Sequence, residues 1–464
     1  MFTKNKEENS MGGTFLTQNK VRPGAYINFV AKPQSLMKVS DRGIATLALP
    51  MSWGPEGEII DILSSDLTDG SSIAKIGYSA TDVESLIFRI CLQNCYRLKA
   101  WRTDRGGEKA SATIGTSTTA LKPTAKYTGI CGNKIKVVIV KDDEAGSTYT
   151  VETLYDGLRK DIQSKLTAPS ELQDNDFVDW NVTEQTVFTA SAGTTLTGGT
   201  NGTVTENTAY TDYWAKMKTE TWNTMGLLSE DATVKTAFCE YIKDLREHEG
   251  VKVQGCVYDK ATYDYEGIVS SDQGYKTEAE EISKVNFVAW VTGACAGAEI
   301  NESNTHKTVQ DAVEIIGELT NTQIIDALNS GKFVISKSRK GTIRVEKDIN
   351  TLHTFTTKRS YDFSKNRVIR VLDEMGNTCE STWDESYCGK LDNDSEGRNI
   401  YKADLIAYGN ILQGIHAITN FLGADDIEVL MGDAVDAVVV NWPVQPVDSM
   451  EKLYMTFTVG RKDT

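Results

Sequence analysis

The sequence predicts a multidomain protein of mixed α/β and α+β class, interrupted by a β-sandwich-like insert, and three observations carry that reading. At 464 residues the chain exceeds what one hydrophobic core serves, so roughly three domains of 100–200 residues are expected. Between residues 103 and 205 the composition shifts to Thr, Ser and Gly, with short β-rich runs between turns. From 206 to 345 helical and strand patterns alternate, which points to helices laid on a largely parallel sheet.

Residues 1–20 are polar and carry Gly12-Gly13; Met11 is a candidate start, the alternative being a disordered extension over residues 1–10. VRPGAYINFV (21–30), with Pro23-Gly24 as a turn at its head, and RGIATLALPMSWGP (42–55), closed by Pro and Gly, predict strands. Residues 82–97 place Val83, Leu86, Ile87, Ile90 and Cys91 at helical spacing. In the insert, KIKVVIV (134–140) and STYTVETL (147–154) predict strands, a short helix is expected over 156–166, and LTGGTNG (196–202) reads as a linker.

Beyond it, Val234, Ala237, Phe238, Tyr241, Ile242 and Leu245 mark a helical face stopped by Gly250, followed by the strand VKVQGCVY (251–258). Thr277 and Glu280 are expected to form a capping box opening a helix that runs toward Ala298. Asn321 is expected to cap a helix over 322–328, ended by Gly331, before the strand KFVISKS (332–338). The strand TIRVEKDI (342–349) leads to an extended stretch and then KNRVIRVLD (365–373). A helix is expected over 399–422, with Leu405, Tyr408, Leu412, Ile415, Ile418 and Leu422 on one face and Gly423 as its stop. AVDAVVVN (434–441) and KLYMTFTV (452–459) predict two closing strands, separated by Pro443 and Pro446.

Hydrophobic residues at 40% and charged residues at 25% describe an ordinary globular chain. A formal net charge of −16 argues against nucleic acid as a partner, because phosphate binding needs clustered positive charge. No apolar run approaches the roughly 18–20 residues of a membrane span, and the N-terminus lacks a secretory apolar core, so no membrane insertion is expected. Eight scattered cysteines read as reduced thiols in a chain folded in the cytosol.

Several motifs tempt a chemical reading and fall short. Asp392, Asp394, Glu396 and Gly397 fit positions 1, 3, 5 and 6 of a calcium loop, but Ala403 stands where the bidentate glutamate belongs, so a solvated hairpin turn is expected. Cys91 and Cys95 lack two further zinc ligands and read as packed core thiols. Cys379 and Cys388 could form a labile pair only in an oxidising medium. None of His248, His306, His353 and His416 adjoins a nucleophile motif, and phosphate-binding glycine fingerprints are absent. Gly293–Ala298 (GACAGA) is expected inside a helix, where small residues allow close packing on the sheet. No catalytic, cofactor or metal residue is therefore assigned.

Six segments in order across the chain carry a family resemblance: NKVRPGAYINF, RGIATLALPMSWGP, KYTGICGNKIKVVI, VAWVTGACAGAEIN, KDINTL with KNRVIR, and PVQPVDSMEKLYMTFTV. Together they resemble the contractile phage tail sheath proteins, including the defective-prophage and tailocin branch of Gram-positive bacteria. The resemblance implies an N-terminal arm (1–30), an N-terminal domain (31–102), an outer β-sandwich (103–205), a subtilisin-like α/β domain lacking a catalytic triad (206–345), and an inner C-terminal domain (346–464) with a terminal strand arm from about 443. It implies a non-enzymatic subunit that polymerises helically around a tail tube and contracts, with baseplate and terminator or collar as further partners. The competing readings are a subtilisin-like hydrolase and another virion or surface-lattice protein.

The resemblance also implies that terminal strands are exchanged between neighbours, through Tyr26, Ile27 and Phe29 at one end and Leu453, Met455, Phe457 and Val459 at the other. The residues support this independently, because KLYMTFTV alternates cleanly and a long apolar edge at a chain end invites another chain. The polar face of the helix expected over 399–422, with Arg398, Lys402, Asn410 and Gln413, is the candidate tube contact.

Overall fold

A computed structural model of the chain describes residues 36–40, 42–142 and 148–459. The expected strand over 21–30, with Tyr26, Ile27 and Phe29, lies outside the described residues. In chain order, β1 (Ile44–Leu49), β2 (Ile59–Leu63), α1 (Leu86–Leu92) and β3 (Arg97–Arg102) lead into the insert. Within the insert, β4 (Ile135–Lys141), β5 (Tyr149–Tyr155), β6 (Leu158–Leu166) and β7 (Ser191–Thr195) form one sheet in the order β7-β4-β5-β6. Then come β8 (Thr224–Leu227), α2 (Ala232–Glu247), β9 (Gln254–Tyr258), β10 (Ile268–Ser271), α3 (Phe287–Gly297) and α4 (Asn321–Asn329). The C-terminal part holds α5 (Asn366–Thr382), α6 (Ser395–Gly414), β11 (Glu428–Met431) and β12 (Val438–Asn441).

The central sheet runs β10-β9-β8-β1-β3-β2, parallel except for β2. Residues 44–102 and 224–271 thus share one sheet. β1 is buried at every position, as a middle strand covered on both faces must be. Helix α3 is buried from Phe287 to Ala296. A Cβ on Gly293 would lie 2.1 Å from the Cys91 carbonyl oxygen, and one on Gly297 would lie 1.6 Å from that of Asn94. The small-residue run therefore admits the backbone around the end of α1, while Gly226 of β8 makes room for Thr292 on the sheet side.

The insert is plugged from below by Trp53, which is fully buried and stacks on Phe177 at 6.1 Å, with Tyr127 edge-on at 5.2 Å. Its two ends lie side by side, Arg105 pairing with Thr203 and Asp104 with Val204. The stretch 196–202 is not a free linker. Ser111 and Thr197 exchange backbone hydrogen bonds of 2.9 and 3.0 Å, Leu196 is buried, and Glu108 bridges to Thr200.

Other expectations are corrected by local geometry. The helix expected over 156–166 is the strand β6, because Asp156 (φ 50°) and Gly157 (φ 79°) make a two-residue turn that folds it back on β5. The helix expected over 82–97 shrinks to a single 3₁₀ turn at Val83–Ser85 and α1, since the chain must turn before entering β3. Thr277 closes a turn by accepting the Glu280 amide at 2.9 Å, and α3 starts later, at Phe287. The cap of α4 is Thr320, boxed with Gln323, rather than Asn321. KNRVIRVLD opens the 17-residue helix α5. Residues 391–398 are no hairpin: Asp394 caps α6 by accepting the Gly397 amide at 2.8 Å. α6 stops at Gly414, eight residues short of expectation; beyond it His416 and Asn420 take positive φ and Leu422 is 69% exposed.

Candidate assembly surface

The C-terminal part packs α5 against α6 around Val371, Met375, Tyr401, Leu405, Tyr408 and Leu412. It is fastened to the central sheet through buried charge. Arg246 of α2 holds Asp373 of α5, and Arg370 holds Asp348 at 2.6 Å with both side chains 1% exposed. Burial alone would push the Asp348 carboxyl up, but Arg370, the Asn304 amide and Asn366 hold it below the usual carboxylate range. Asn377 of α5 exchanges two hydrogen bonds of 2.9 Å with the Lys252 backbone.

Both chain ends leave from this region. On the N-terminal side, the Leu36 amide donates to Asp404 at 2.7 Å, Met37 is buried, and Ser40 donates twice to Glu374 at 2.6 Å. On the C-terminal side, the Thr419 amide donates to the Gln445 carbonyl and that of Val447 to the Ala417 carbonyl, each at 2.9 Å. Lys365, nearly buried, then clamps Asp448 at 3.0 Å and Glu451. Burial alone would lower the Lys365 ammonium pKa; the two carboxylates more than offset this and raise it.

Past Glu451 the pinning stops. Residues 452–459 carry no secondary structure, so KLYMTFTV is not a strand within its own subunit. Leu453 is 81% exposed, Met455 59%, Phe457 81% and Val459 97%. In the same domain, β11 and β12 form a two-stranded sheet with Val429 opposite Val440 and Leu430 opposite Val439; Leu430, Met431, Val439 and Val440 are exposed. The strand expected at 434–441 is the second arm of this hairpin; the first arm at 428–431 was not expected, and the signal for the apolar pair was the unbroken Val438-Val439-Val440 run.

The four candidate tube-contact residues are not alike. Arg398 donates to the Asn393 carbonyl and side chain at 2.9 Å, and Gln413 bonds both backbone groups of Phe421, so these two serve the fold. Asn410 is exposed and Lys402 half-buried. The exposed face of α6 also carries Asn399, Ile400, Ala403 and Ile411.

Among the described residues no group of three or more His, Cys, Asp or Glu side chains could hold a metal ion. His353 lies 3.4 Å from Asp264, but its ring Nδ1 meets the Thr351 carbonyl at 2.8 Å, and among the described residues no hydroxyl or thiol nucleophile is bonded to it. Cys91 and Cys95 are packed in the core as expected, with sulfurs 4.0 Å apart. No helix among the described residues is long and apolar enough to cross a membrane.

Comparison with known proteins agrees along most of the chain. Residues 105–201 match the phage tail sheath protein β-sandwich domain, 202–351 the phage tail sheath protein central domain, and 358–460 the phage tail sheath C-terminal domain. The phage-like element PBSX protein XkdK of Bacillus subtilis (strain 168) is 32% identical, covering 97% of this chain and 100% of its own. The sheath tail protein of Desulfitobacterium hafniense superposes with a TM-score of 0.78 at 37% identity, over 93% of this chain and 99% of that one. At 11% identity and a TM-score of 0.53, the fold extends to the helical sheath of the anti-feeding prophage in its contracted state, over 95% of this chain and 99% of that one. The chain belongs to the phage tail sheath protein family and is a structural subunit of a tail sheath.

Proposed function

We propose that this subunit polymerises helically around a tail tube and that the polymer contracts to drive the tube through a bacterial envelope. Copies joined by one heterologous, non-closing contact generate an open helix, the geometry a tube-wrapping layer requires. The observation that carries this reading is the apolar arm at 452–459, pinned up to Glu451 and exposed beyond it.

Strand addition supplies main-chain hydrogen bonds and pockets for alternate side chains. Burying Leu453, Met455, Phe457 and Val459 contributes about 1.5–3 kcal/mol each, ample for a neighbour-to-neighbour link once association entropy is offset. Such links act as tethers that persist while the rigid bodies repack. Tyr26, Ile27 and Phe29 belong to the complementary arm. The division into arm, N-terminal domain, outer β-sandwich, subtilisin-like scaffold without catalysis, and inner C-terminal domain is part of the same proposal, with the N-terminal domain and the scaffold contributing strands to one shared sheet.

The tube-facing surface is assigned to the outer face of α6, through Lys402 and Asn410; Arg398 and Gln413 support it from within. Baseplate and terminator or collar are the further partners. The subunit folds in the bacterial cytoplasm and works in a virion tail or phage-like particle. Deleting residues 453–464 tests the reading. Folded monomers that give no cylinders by negative-stain microscopy are expected; normal striated cylinders would refute strand exchange.

A further inference from the structure

Residues 332–344 carry Lys332, Lys337, Arg339, Lys340 and Arg344 and no acidic residue, in a chain whose formal net charge is −16. They form a hairpin of two antiparallel strands, Ile335–Lys337 and Ile343–Val345, rooted at the β10 edge of the central sheet, where the Phe333 amide donates to the Ser270 carbonyl at 2.8 Å. Ile335, Ile343 and Val345 bury its base. Its tip is a closed turn: the Ser338 amide donates to the Thr342 carbonyl at 2.8 Å, the Gly341 amide to the Ser338 carbonyl at 2.9 Å, and Gly341 takes φ 89°. Lys337, Arg339 and Lys340 are exposed. We propose that this tip docks on an acidic surface of the C-terminal domain of a second copy of the chain, a contact that rests on the self-assembly proposed above.

The cations are unspent. Lys332 is committed to Asp272 at 2.6 Å, but Lys337, Arg339, Lys340 and Arg344 form no ion pair among the described residues, and Nε of Arg344 is enclosed without a hydrogen-bond partner. Glu346, the acid that follows them in sequence, is taken by the Ser336 hydroxyl. The turn also presents Arg339 and Lys340 on fixed backbone, so little ordering entropy is left to lose on docking.

The complement lies on the other side of the Arg246–Asp373 junction. Asn393 donates to the Val435 and Ala437 carbonyls, each at 2.9 Å, which sets the segment between α5 and α6 against the tip of the β11–β12 hairpin. Asp384, Glu385, Asp392, Asp433 and Asp436 are exposed there, and none forms an ion pair among the described residues. The cations beside them are committed, Arg398 to Asn393 and Lys390 to the Glu385 carbonyl.

The two surfaces are opposite in sign and unpaired within one subunit. A tip on one copy meeting an acidic surface on the next is a heterologous contact, which propagates instead of closing, as an open helix requires. Exposed ion pairs hold weakly one at a time and are screened by salt. Their larger effect is to steer encounter, which raises association rates by about 10- to 1000-fold.

Assembly of the purified full chain, followed by light scattering at low salt, tests this. Arg339→Glu/Lys340→Glu alone and Asp433→Lys/Asp436→Lys alone should each assemble about tenfold more slowly than the unaltered chain. An equimolar mixture of the two should regain the unaltered rate, because each reversed surface finds its complement only on the other variant. Arg339→Gln/Lys340→Gln, which removes charge without adding repulsion, should be intermediate, and the unaltered chain should slow to match it at 1 M salt, where charges are screened within about 3 Å. Unchanged rates for both reversals overturn the docking, as does a mixture no faster than its components, or slowing seen only when tail tubes are present. No polymer from the unaltered chain would refute self-assembly itself, a result distinct from unaltered polymer formed by the variants.

Discussion

Arg246 and Asp373 form a bidentate ion pair, both bonds 2.7 Å long, that joins α2 of the central sheet to α5 of the C-terminal domain. Each side chain is 7% exposed, and the same guanidinium also donates to the Val253 carbonyl at 2.7 Å. Burial would lower the arginine pKa, but Asp373 holds it above its ordinary value. The two domains are thereby fixed as one piece.

Asp373→Ala leaves the buried guanidinium unpaired. A loss of about 3–5 kcal/mol is expected in denaturant unfolding. Replacing both partners by apolar residues of similar volume should cost far less. A small effect from the single substitution would show that the pair does not fasten the domains.

Gly297→Ala and Gly293→Ala each put a methyl group onto backbone, the Asn94 and Cys91 carbonyls, which no side-chain rotation relieves. Each should destabilise by about 3 kcal/mol or more, read from the denaturation midpoint. Gly414→Ala, where the added carbon meets nothing within 4 Å, is the control and should be neutral or slightly stabilising.

Asp348 is a group with a depressed pKa, so its stabilisation is present above the ordinary carboxylate pKa of about 3.9 and lost as pH falls through the lower folded value. Unfolding free energy should therefore fall as pH drops below about 4. Asp348→Asn should flatten that slope, measured by acid titration of circular dichroism, while lowering stability at neutral pH.

Replacing residues 107–200 by a short Gly/Ser linker should preserve the central sheet, because the insert's ends already pair as Asp104–Arg105 with Thr203–Val204. Trp53 loses its aromatic cover and is to be changed as well, to Trp53→Ser. Thinner-walled cylinders are expected in negative stain. Loss of assembly with an intact fold would place the insert in the lattice core.

Much of this protein was legible in residues alone. Alternation of helix and strand gave the parallel sheet, the period of Val234–Leu245 gave α2, and the Thr/Ser/Gly shift marked the insert. These features depend on local periodicity and composition, which the sequence displays directly. The turn at Asp156-Gly157 was equally local, and reading 156–166 as a helix overlooked it.

What tertiary structure decided was partnership. KLYMTFTV has a strand's alternation, but a strand also needs an edge to pair with, and it pairs with none among the described residues of its own subunit. Gln413 and Arg398 read as free polar groups on a helix face, and only the return of the chain at Phe421 and Asn393 consumed their hydrogen bonds. That β1 and β3 join β8 across a hundred-residue insert, and that Arg246 meets Asp373, are contacts between segments remote in sequence. Local propensity sets periodicity and turns, whereas which buried charge, edge or carbonyl finds which partner is settled only when the whole chain has closed on itself.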